Sequence, residues 1–327
     1  MSDNPPAAAR TTLDPAELGR RLREGDRTAA PAALNAIEDR SPAGRERARA
    51  LLHEVSPGAL GGEARAHLIG VTGPPGAGKS SLLSALVAEW RERGRSVAVL
   101  AVDPSSRRSG GALLGDRARI EHDPRDDGVL IRSTAAGSRL GGLAPPTREA
   151  VQVLAPAYDV VVVETVGVGQ SETDVAEVCD TVAVVVQPGS GDVLQFLKAG
   201  IMEIPDVLVV TKEDLGDVAR RARRDLASAL RALGATETPV VSVSSVPPPT
   251  GIGEVIDALD RHRESVDLHA TRTSARRLAA LAEFVTERGE SGLRALGGRR
   301  EALRLLEAQD PGLEVPALVE LLESEAG

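Results

Sequence analysis

The pattern of apolar residues divides the chain, from residue 67 onward, into short strands that alternate with helices. Seven stretches have the length and the β-branched, apolar composition of strands: 67–72, 96–102, 129–132, 158–164, 180–186, 206–211 and 239–243. Several are nearly all Val, Leu, Ile and Ala, and such continuous apolarity means that both faces of the sheet are covered. The pattern therefore predicts an α/β fold with a mostly parallel sheet, whose ligands bind at the carboxyl ends of the strands.

The N-terminal part of the chain has helical spacing and no strand signal. Residues 1–12 are polar and contain prolines, and we expect them to form a disordered tail. A helical segment over 13–62 follows and ends in a glycine-rich linker at 56–63. Three stretches in this segment have helical spacing: 15–22, 30–38 and 42–53. The α/β region that comes next, 63–263, is predicted to be a domain of its own.

The C-terminal part, 264–327, returns to helical spacing. Helices are predicted over 273–287 and 298–307, and a last one follows Pro316. This segment fits either a small helical bundle or a dimerisation arm, and the pattern leaves both open.

One stretch fits the phosphate-binding loop G-x-x-x-x-G-K-[ST], and it lies between a strand candidate and a predicted helix. Glycines let successive backbone N–H groups point at phosphate oxygens, and the following helix adds the positive end of its dipole. Lys79 is placed to reach the β- and γ-phosphates, and the Ser80 hydroxyl to bind Mg²⁺. The predicted nucleotide-binding residues here are Gly73, Pro74, Pro75, Gly76, Ala77, Gly78, Lys79, Ser80 and Ser81.

Two strand candidates end in a carboxylate. Mg²⁺ prefers hard oxygen ligands and keeps several waters, so one or two carboxylates are enough to hold it. Glu164 is predicted to be the magnesium-binding acid, acting through water, and Asp103 to hold Mg²⁺ or orient the attacking water. Gly167 follows where a backbone N–H can sense the γ-phosphate. We therefore predict Lys79, Asp103 and Glu164 as catalytic residues.

The stretch 105–116 carries hydroxyls, glycines and arginines beside the predicted nucleotide site, as a switch loop does. Arg107 or Arg108 is a candidate for neutralising charge in phosphoryl transfer, with a solvated surface arginine as the alternative. Asp116, at the end of the stretch, either joins the magnesium shell or caps a turn.

A base-reading motif ends the strand candidate 206–211. Thr211, Lys212 and Asp214 form T-K-x-D, which resembles the guanine-reading N-K-x-D of GTPases. The Asp214 carboxylate can accept from the N1–H and 2-amino groups of guanine, which adenine lacks, so GTP is predicted over ATP. Thr211 in place of Asn removes the amide that usually braces this loop. A second base loop is predicted at Ser244 and Ser245, where a backbone N–H meets guanine O6.

Composition narrows the class of protein. The 327 residues include 39 Lys and Arg against 48 Asp and Glu, a net charge of −9, and only 1% aromatic residues. We therefore expect no nucleic-acid partner. One cysteine, Cys179, excludes a disulfide framework within the chain. No export segment or membrane-spanning run is present, so a cytoplasmic protein without a membrane partner is expected.

Seven ordered motifs resemble the MeaB/ArgK group of GTPases, relatives of the methylmalonic aciduria type A protein. They lie at 70–80, 101–106, 113–116, 140–143, 164–172, 188–192 and 198–204. The resemblance implies a GTPase domain between a helical N-terminal segment and a C-terminal dimerisation arm, hence a homodimer. It also implies a chaperone of adenosylcobalamin-dependent acyl-CoA mutases, in which GTP hydrolysis gates cofactor loading and protects the mutase.

The same resemblance implies roles for individual residues. Asp103, Asp116 and Glu164 would surround Mg²⁺ and the attacking water. The segment 188–198 would relay the nucleotide state, GTP or GDP, to the mutase. The residues predicted for switching and partner coupling are Arg107, Arg108, Gln170, Asp192 and Lys198. The tail after about 265 shows little of the family's arm, so the dimer rests on the resemblance alone.

Two other classes of protein remain open from the sequence. A small-molecule or transport-linked kinase or ATPase would use the same phosphate loop, but it needs an acceptor pocket and a lid. A nickel-delivery GTPase needs His and Cys ligands, whereas this chain has five scattered histidines and one cysteine. The sequence does not name the mutase: methylmalonyl-, isobutyryl- and ethylmalonyl-CoA mutases all remain candidates.

Overall fold

The structure, a computed structural model, describes residues 14–103, 120–135, 143–165, 175–189 and 205–327. Within these ranges the chain forms a seven-stranded sheet. Its strands are β1 (His67–Thr72), β2 (Val97–Asp103), β3 (Val129–Ala135), β4 (Val160–Thr165), β5 (Thr181–Val186), β6 (Val207–Val210) and β7 (Val240–Ser242). The strand order is β3-β2-β4-β1-β5-β6-β7, and every neighbouring pair is parallel. The predicted α/β fold is confirmed, and each of the seven strand candidates forms a strand.

Helices flank this sheet and extend the chain at both ends. They are α1 (Pro15–Arg23), α2 (Ala30–Glu38), α3 (Pro42–Glu54), α4 (Pro57–Leu60), α5 (Lys79–Glu92), α6 (Pro145–Leu154), α7 (Asp217–Ala232), α8 (Ile252–Ser265), α9 (Leu268–Ala295), α10 (Arg299–Glu307) and α11 (Val315–Ala326). None of the helices in the described ranges is long and apolar enough to cross a bilayer.

Helices cover both faces of the sheet, and the side chains of each strand point alternately to one face and the other. Leu68 of β1 enters a core that it shares with the N-terminal helices and α6. Its neighbour Ile69 enters a second core, under α5 and α8. The central strands therefore read as continuous apolar runs, which is the signal that the sequence carries.

Strand β3 is longer than its apolar pattern indicates. The prediction ended at 132 because Arg132, Ser133 and Thr134 interrupt the apolar run. The backbone nevertheless pairs with all of β2, up to Asp103 opposite Ala135. Backbone hydrogen bonds hold this ladder together, so polar side chains do not end it.

Three of the four N-terminal helices begin at a side-chain cap. The side chains of Asp14, Ser41 and Ser56 accept hydrogen bonds from backbone N–H groups in the first turns of α1, α3 and α4, and each helix has proline in its first turn. The stretch 56–63, predicted as a linker, therefore contains the one-turn helix α4. The glycines of this stretch are more typical of a linker, so the sequence did not predict the helix. It is capped by the buried Ser56 at its start and by Gly61 at its end.

The C-terminal helices have an apolar core of their own, around Phe284, Leu306 and Leu322. Helix α9 begins at Leu268, five residues before the predicted start, because Asp267 caps it by accepting from the Ala270 N–H at 3.1 Å. The long helix is interrupted at Gly289, where φ is +64°.

A buried ion pair attaches α9 to the sheet. The Arg272 guanidinium donates to both carboxylate oxygens of Asp180, at 2.8 and 2.6 Å. It also donates to the carbonyls of Ala64 and Ala66, each at 2.7 Å. Asp180 in turn accepts from the backbone N–H of Leu68, the second residue of β1. Both charged groups therefore have hydrogen-bond partners, and the pair fixes α9 beside the amino ends of the central strands.

Candidate nucleotide-binding site

The phosphate loop follows β1, at the centre of the carboxyl edge of the sheet. The chain turns through Gly73, Gly76 and Gly78, which have φ angles of +139°, +76° and +90°. A Cβ at Gly73 would lie 2.1 Å from the carbonyl oxygen of Val185, so no other residue fits there. Helix α5 then begins at Lys79, so the N–H groups of its first turn point toward the loop.

Lys79 is buried against its own loop. Its ammonium donates to the carbonyl oxygens of Gly73 at 2.7 Å and of Pro74 at 3.2 Å. The side chain thus lies within the loop, where it can neutralise phosphate oxygens that the backbone N–H groups bind. The predicted contact of Lys79 with the β- and γ-phosphates stays a prediction.

Ser80 and Glu164 lie close together at the phosphate end of the site. The Ser80 hydroxyl is 3.5 Å from the Glu164 carboxylate. Glu164 is buried in β4, where the strand register places it beside Val71 of β1 and Ala101 of β2. Two hard oxygen donors at this distance fit one Mg²⁺ ion, which binds them directly or through a water.

The other residues predicted for metal binding and switching are only partly described. The backbone of Asp103 ends β2 on the same edge of the sheet as Glu164; its side chain is outside the description. Seven further predicted residues lie outside the described ranges: Arg107, Arg108, Asp116, Gly167, Gln170, Asp192 and Lys198. Their roles stay predictions.

A pair of hydroxyls supports the phosphate end and was missed at the level of sequence. Thr165, directly after Glu164, donates its hydroxyl hydrogen to the Thr72 hydroxyl at 3.0 Å, and both residues are buried. Thr72 precedes the phosphate loop, so this contact joins the end of β4 to the start of the loop. The Glu-Thr and Thr-Gly dipeptides at two strand ends were the available signal.

Thr211 braces the base-binding end of the site. Its hydroxyl lies 2.6 Å from the carbonyl oxygen of Ala77, in the phosphate loop, and 3.1 Å from that of Val186. The amide of an asparagine is absent, as the sequence dictates, but this hydroxyl makes a brace of its own. The two ends of the predicted nucleotide site are therefore in direct contact.

Lys212, the next residue, has a backbone conformation that is rare for side chains other than glycine, with φ of +57°. Its ammonium donates to the side-chain oxygen of Gln187, which follows β5. The side chain therefore extends along the carboxyl edge of the sheet, where the base of a nucleotide would lie.

Asp214 is oriented by Ser244. The Ser244 hydroxyl donates to one carboxylate oxygen of Asp214 at 2.8 Å. The backbone N–H of Ser244, which was predicted to meet the base, is instead bonded to the Thr250 carbonyl at 3.1 Å. The Ser244 side chain thus orients Asp214, and a contact between the Ser245 N–H and guanine O6 stays a prediction.

The sequence matches the model of one protein family, described as methylmalonyl Co-A mutase-associated GTPase MeaB, over residues 30–295. It is 43% identical over 258 residues to a Pyrococcus abyssi protein assigned as a GTPase, covering 77% of this chain and 76% of that protein. It is 38% identical over 274 residues to the mitochondrial methylmalonic aciduria type A homolog of Caenorhabditis elegans, covering 78% and 68%. A solved structure of a LAO/AO transport system kinase has a TM-score of 0.66 at 30% identity, covering 95% and 96%.

Proposed function

The chain belongs to the MeaB family of methylmalonyl-CoA mutase-associated GTPases, and on this premise we propose that it is a magnesium-dependent GTPase chaperone of an adenosylcobalamin-dependent acyl-CoA mutase. Family membership makes the chain a GTPase that hydrolyses GTP. The proposal adds four things: a bound Mg²⁺, the contacts to the guanine base, the loading of the cofactor and the protection of the mutase. The observation that carries it is the convergence of the Lys79 loop, Glu164 and Asp214 on one edge of the sheet.

At the phosphate end, the loop N–H groups and Lys79 would bind the β- and γ-phosphates. The Ser80 hydroxyl and the Glu164 carboxylate would hold Mg²⁺, which when bound neutralises charge on the phosphate oxygens. Asp103, at the neighbouring strand end, would orient the attacking water. The loop is fixed by glycines and by the Thr72–Thr165 contact, so its donors are positioned before the nucleotide arrives.

At the base end, Asp214 would accept hydrogen bonds from N1–H and the 2-amino group of guanine. Ser244 fixes the carboxylate, and the stem of Lys212 would cover the base. Thr211 sets the distance between this end and the phosphate loop. Adenine offers a carboxylate no such pair of donors, so the arrangement favours GTP over ATP.

Coupling to a mutase would use the segments that leave the nucleotide site. Strands β4 and β5 flank β1, and the chain leaves their carboxyl ends toward 166–174 and 190–204, where Gln170, Asp192 and Lys198 lie. A change from GTP to GDP at the loop would reach both segments through the ends of β4 and β5. The family's description as mutase-associated and the methylmalonic aciduria relative support a mutase as the partner.

Steady-state GTP hydrolysis tests this function. We expect magnesium-dependent turnover that is slow alone and accelerated by a mutase, since a missing charge-neutralising group can leave ~10³–10⁵ of rate unrealised. Lys79→Ala should weaken nucleotide binding about 10- to 100-fold, because charge-assisted hydrogen bonds are lost. Turnover at tens per second without a partner, or wild-type GTP affinity in Lys79→Ala, would count against it.

A small-molecule kinase is the second candidate, because one solved structure that matches over 95% of this chain is that of a LAO/AO transport system kinase. Asp214 held by Ser244 favours guanine and argues against an ATP-dependent kinase. Competition of ATP against a fluorescent guanine nucleotide separates the two. A nickel-delivery GTPase, the other alternative, would need a cluster of metal ligands. No group of three or more His, Cys, Asp or Glu side chains that could hold a metal ion is found among the described residues.

We also propose that the segment 264–327 mediates a homodimer, with the domain boundaries at 62/63 and 263/264 that the sequence predicts. Support comes from the separate apolar core of α9, α10 and α11. Light scattering of the full chain and of a chain truncated after 263 tests this proposal: a mass of two chains is expected only for the full chain.

A further inference from the structure

The solvent side of helix α7 carries a row of arginines. The helix contains five arginines and two aspartates, a net charge of +3, in a chain whose net charge is −9. Its opposite side is buried, where Leu226 and Leu230 pack against strands β5 and β6. Four of the arginines are exposed along the solvent side, at helical spacings of three, four and seven residues: Arg220, Arg221, Arg224 and Arg231.

Two of these arginines are not used within the molecule. Arg220 pairs with Asp217 at 2.5 Å. Arg221 and Arg224, three residues apart, have neither a hydrogen bond nor an ion pair with any described residue, and Asp225, the other aspartate of the helix, pairs with neither of them. Like charges at this spacing destabilise a helix, so the fold itself gains nothing from this pair of guanidinium groups.

Exposed apolar side chains lie at both ends of the same helix. Among the residues that the structure describes, five large apolar residues are exposed: Leu215, Val218, Leu233, Val246 and Leu278. Leu215 and Val218, at the start of α7, are 51% and 57% exposed, and Leu233 directly follows its last residue. Three of the five therefore border the row of arginines.

Val246, a fourth exposed apolar residue, is held beside the start of α7 by Ser244. The Ser244 hydroxyl accepts from the Val246 backbone N–H at 3.2 Å and donates to the Asp214 carboxylate at 2.8 Å. Asp214 directly precedes Leu215, so one hydroxyl joins the loop after β7 to the start of the helix. We call the four exposed arginines and the four apolar residues Leu215, Val218, Leu233 and Val246 the α7 surface.

The composition of the α7 surface fits a protein partner. Arginine is enriched in protein interfaces, where apolar side chains form the dry centre. Single-stranded nucleic acid stacks its bases on aromatic residues, but α7 contains none, and the chain as a whole is acidic. A helix that binds a bilayer inserts its apolar side, and that side of α7 is already buried against the sheet.

We propose that the α7 surface docks an acidic segment of another protein, in which apolar residues are spaced among glutamates and aspartates. The carboxylates of this segment would pair with Arg221 and Arg224, the two guanidinium groups that the chain leaves without a partner among its described residues. Its apolar side chains would cover Leu215 and Val218. None of these contacts involves a residue assigned to the nucleotide, so the docking and the GTPase function can fail independently.

Fluorescence anisotropy of the full chain with a labelled synthetic peptide tests the proposal. The peptide has leucine at every fourth position and glutamate elsewhere. We expect it to bind at about 0.1 mM at low salt and at least about threefold more weakly at ~0.5 M salt, because exposed charge pairs are screened. The same peptide with lysine in place of glutamate should bind at least about tenfold more weakly than the glutamate peptide.

Substitutions on the solvent side of α7 locate the binding. Arg221→Glu combined with Arg224→Glu should weaken the glutamate peptide at least about tenfold, since like charges would then face each other. Val218→Ser should weaken it about threefold, because apolar contact is lost. The matched control is Arg299→Glu combined with Arg300→Glu. These are the first two residues of α10, both exposed, so this variant has the same net charge and should bind as the wild type does.

Three outcomes would overturn the proposal. The first is a wild type that does not bind the glutamate peptide. The second is an equal loss in the α7 and α10 double variants, which would mean that the peptide responds to the net charge of the whole chain. The third is tighter binding of double-stranded DNA or of phosphatidylserine vesicles than of the peptide, which would assign the arginines to a nucleic acid or a membrane.

Discussion

A single hydroxyl, that of Thr211, joins the base-binding end of the site to the phosphate loop. It lies 2.6 Å from the Ala77 carbonyl, whereas the related guanine motif uses an asparagine amide at this position. A hydroxyl has one donor hydrogen and can serve one carbonyl at a time, here Ala77 or Val186. The brace is therefore shorter and simpler than an amide, and it can be removed without changing the shape of the residue.

Thr211→Val should weaken GTP binding about three- to tenfold, because the loss of one buried hydrogen bond costs ~1 kcal/mol and leaves the Ala77 carbonyl unpaired. Thr211→Ser keeps the hydroxyl and should stay within about twofold of the wild type. Fluorescence titration with a labelled guanine nucleotide measures both. Equal affinities in the valine variant and the wild type would show that the contact does not position the loop.

Asp214→Asn should shift the preference from guanine toward xanthine nucleotides. Xanthine carries a carbonyl where guanine has its 2-amino group, so an amide can donate to it while still accepting from N1–H. A pairing of this quality contributes roughly 2–4 kcal/mol in each direction. Competition of GTP, ATP and XTP against a fluorescent guanine nucleotide measures the shift. A wild type that binds ATP as well as GTP would refute the role of Asp214.

Burial raises the pKa of the Glu283 carboxyl, on helix α9, and this shift predicts how stability depends on pH. A carboxyl whose pKa is raised on folding is disfavoured as the anion in the folded state. The cost is absent below the unfolded pKa and complete above the folded one. Glu283→Gln should therefore raise the melting temperature relative to the wild type at pH 8, with a smaller difference at pH 4. Thermal melts at both pH values check this; the reverse order would be inconsistent with a raised pKa of Glu283.

At the scale of elements, α9 is held to the sheet by charge as well as by apolar packing. Arg272 and Asp180 are both almost fully buried, and the guanidinium also serves two carbonyls of the stretch before β1. Removing one partner of such a pair leaves a buried charge uncompensated, which costs far more than the pair itself contributes. The attachment is therefore sensitive to single substitutions.

Arg272→Ala should lower the free energy of unfolding by ~3–5 kcal/mol, since Asp180 would remain buried and unpaired. Arg288→Ala is the comparison, because Arg288, also on α9, forms a largely exposed pair with Glu323 of α11, and its loss should cost at most about 1 kcal/mol. Urea denaturation of the three proteins measures the difference. Similar losses in both variants would mean that the buried pair is not what attaches α9.

The elements that the sequence predicts well are those whose signal is local. Strands β1 and β4 are continuous apolar runs, and both were predicted to within two residues of their ends. Helix α4 was missed because its glycines and proline are also typical of a linker, and only the buried Ser56 cap distinguishes the two. The polar end of β3 was missed because its pairing with β2 is made by distant backbone.

At the scale of the whole molecule, the site also has a part that the sequence predicts and a part that it does not. The phosphate loop and the T-K-x-D motif are contiguous in sequence, and the structure places both at the carboxyl edge. The contacts that fix them, Ser244 to Asp214 and Thr165 to Thr72, join residues 30 and 93 positions apart. Sequence spacing carries no information about such pairs, because the order of the strands in the sheet brings them together.

The predicted nucleotide site lies at the carboxyl end of β1, around the loop that follows this strand. The chain continues from β4 and β5, the two strands beside β1, toward the segments 166–174 and 190–204, which lie outside the described residues.

Isothermal titration of a purified acyl-CoA mutase into this protein tests the central claim most directly, once with a non-hydrolysable GTP analogue and once with GDP. Methylmalonyl-, isobutyryl- and ethylmalonyl-CoA mutases are the three partners to titrate. We expect one of them to bind with affinities that differ at least about fivefold between the two nucleotides, the lower end of a typical coupling free energy. No binding to any of the three, or equal affinity in both nucleotide states, would contradict a GTPase that regulates a mutase.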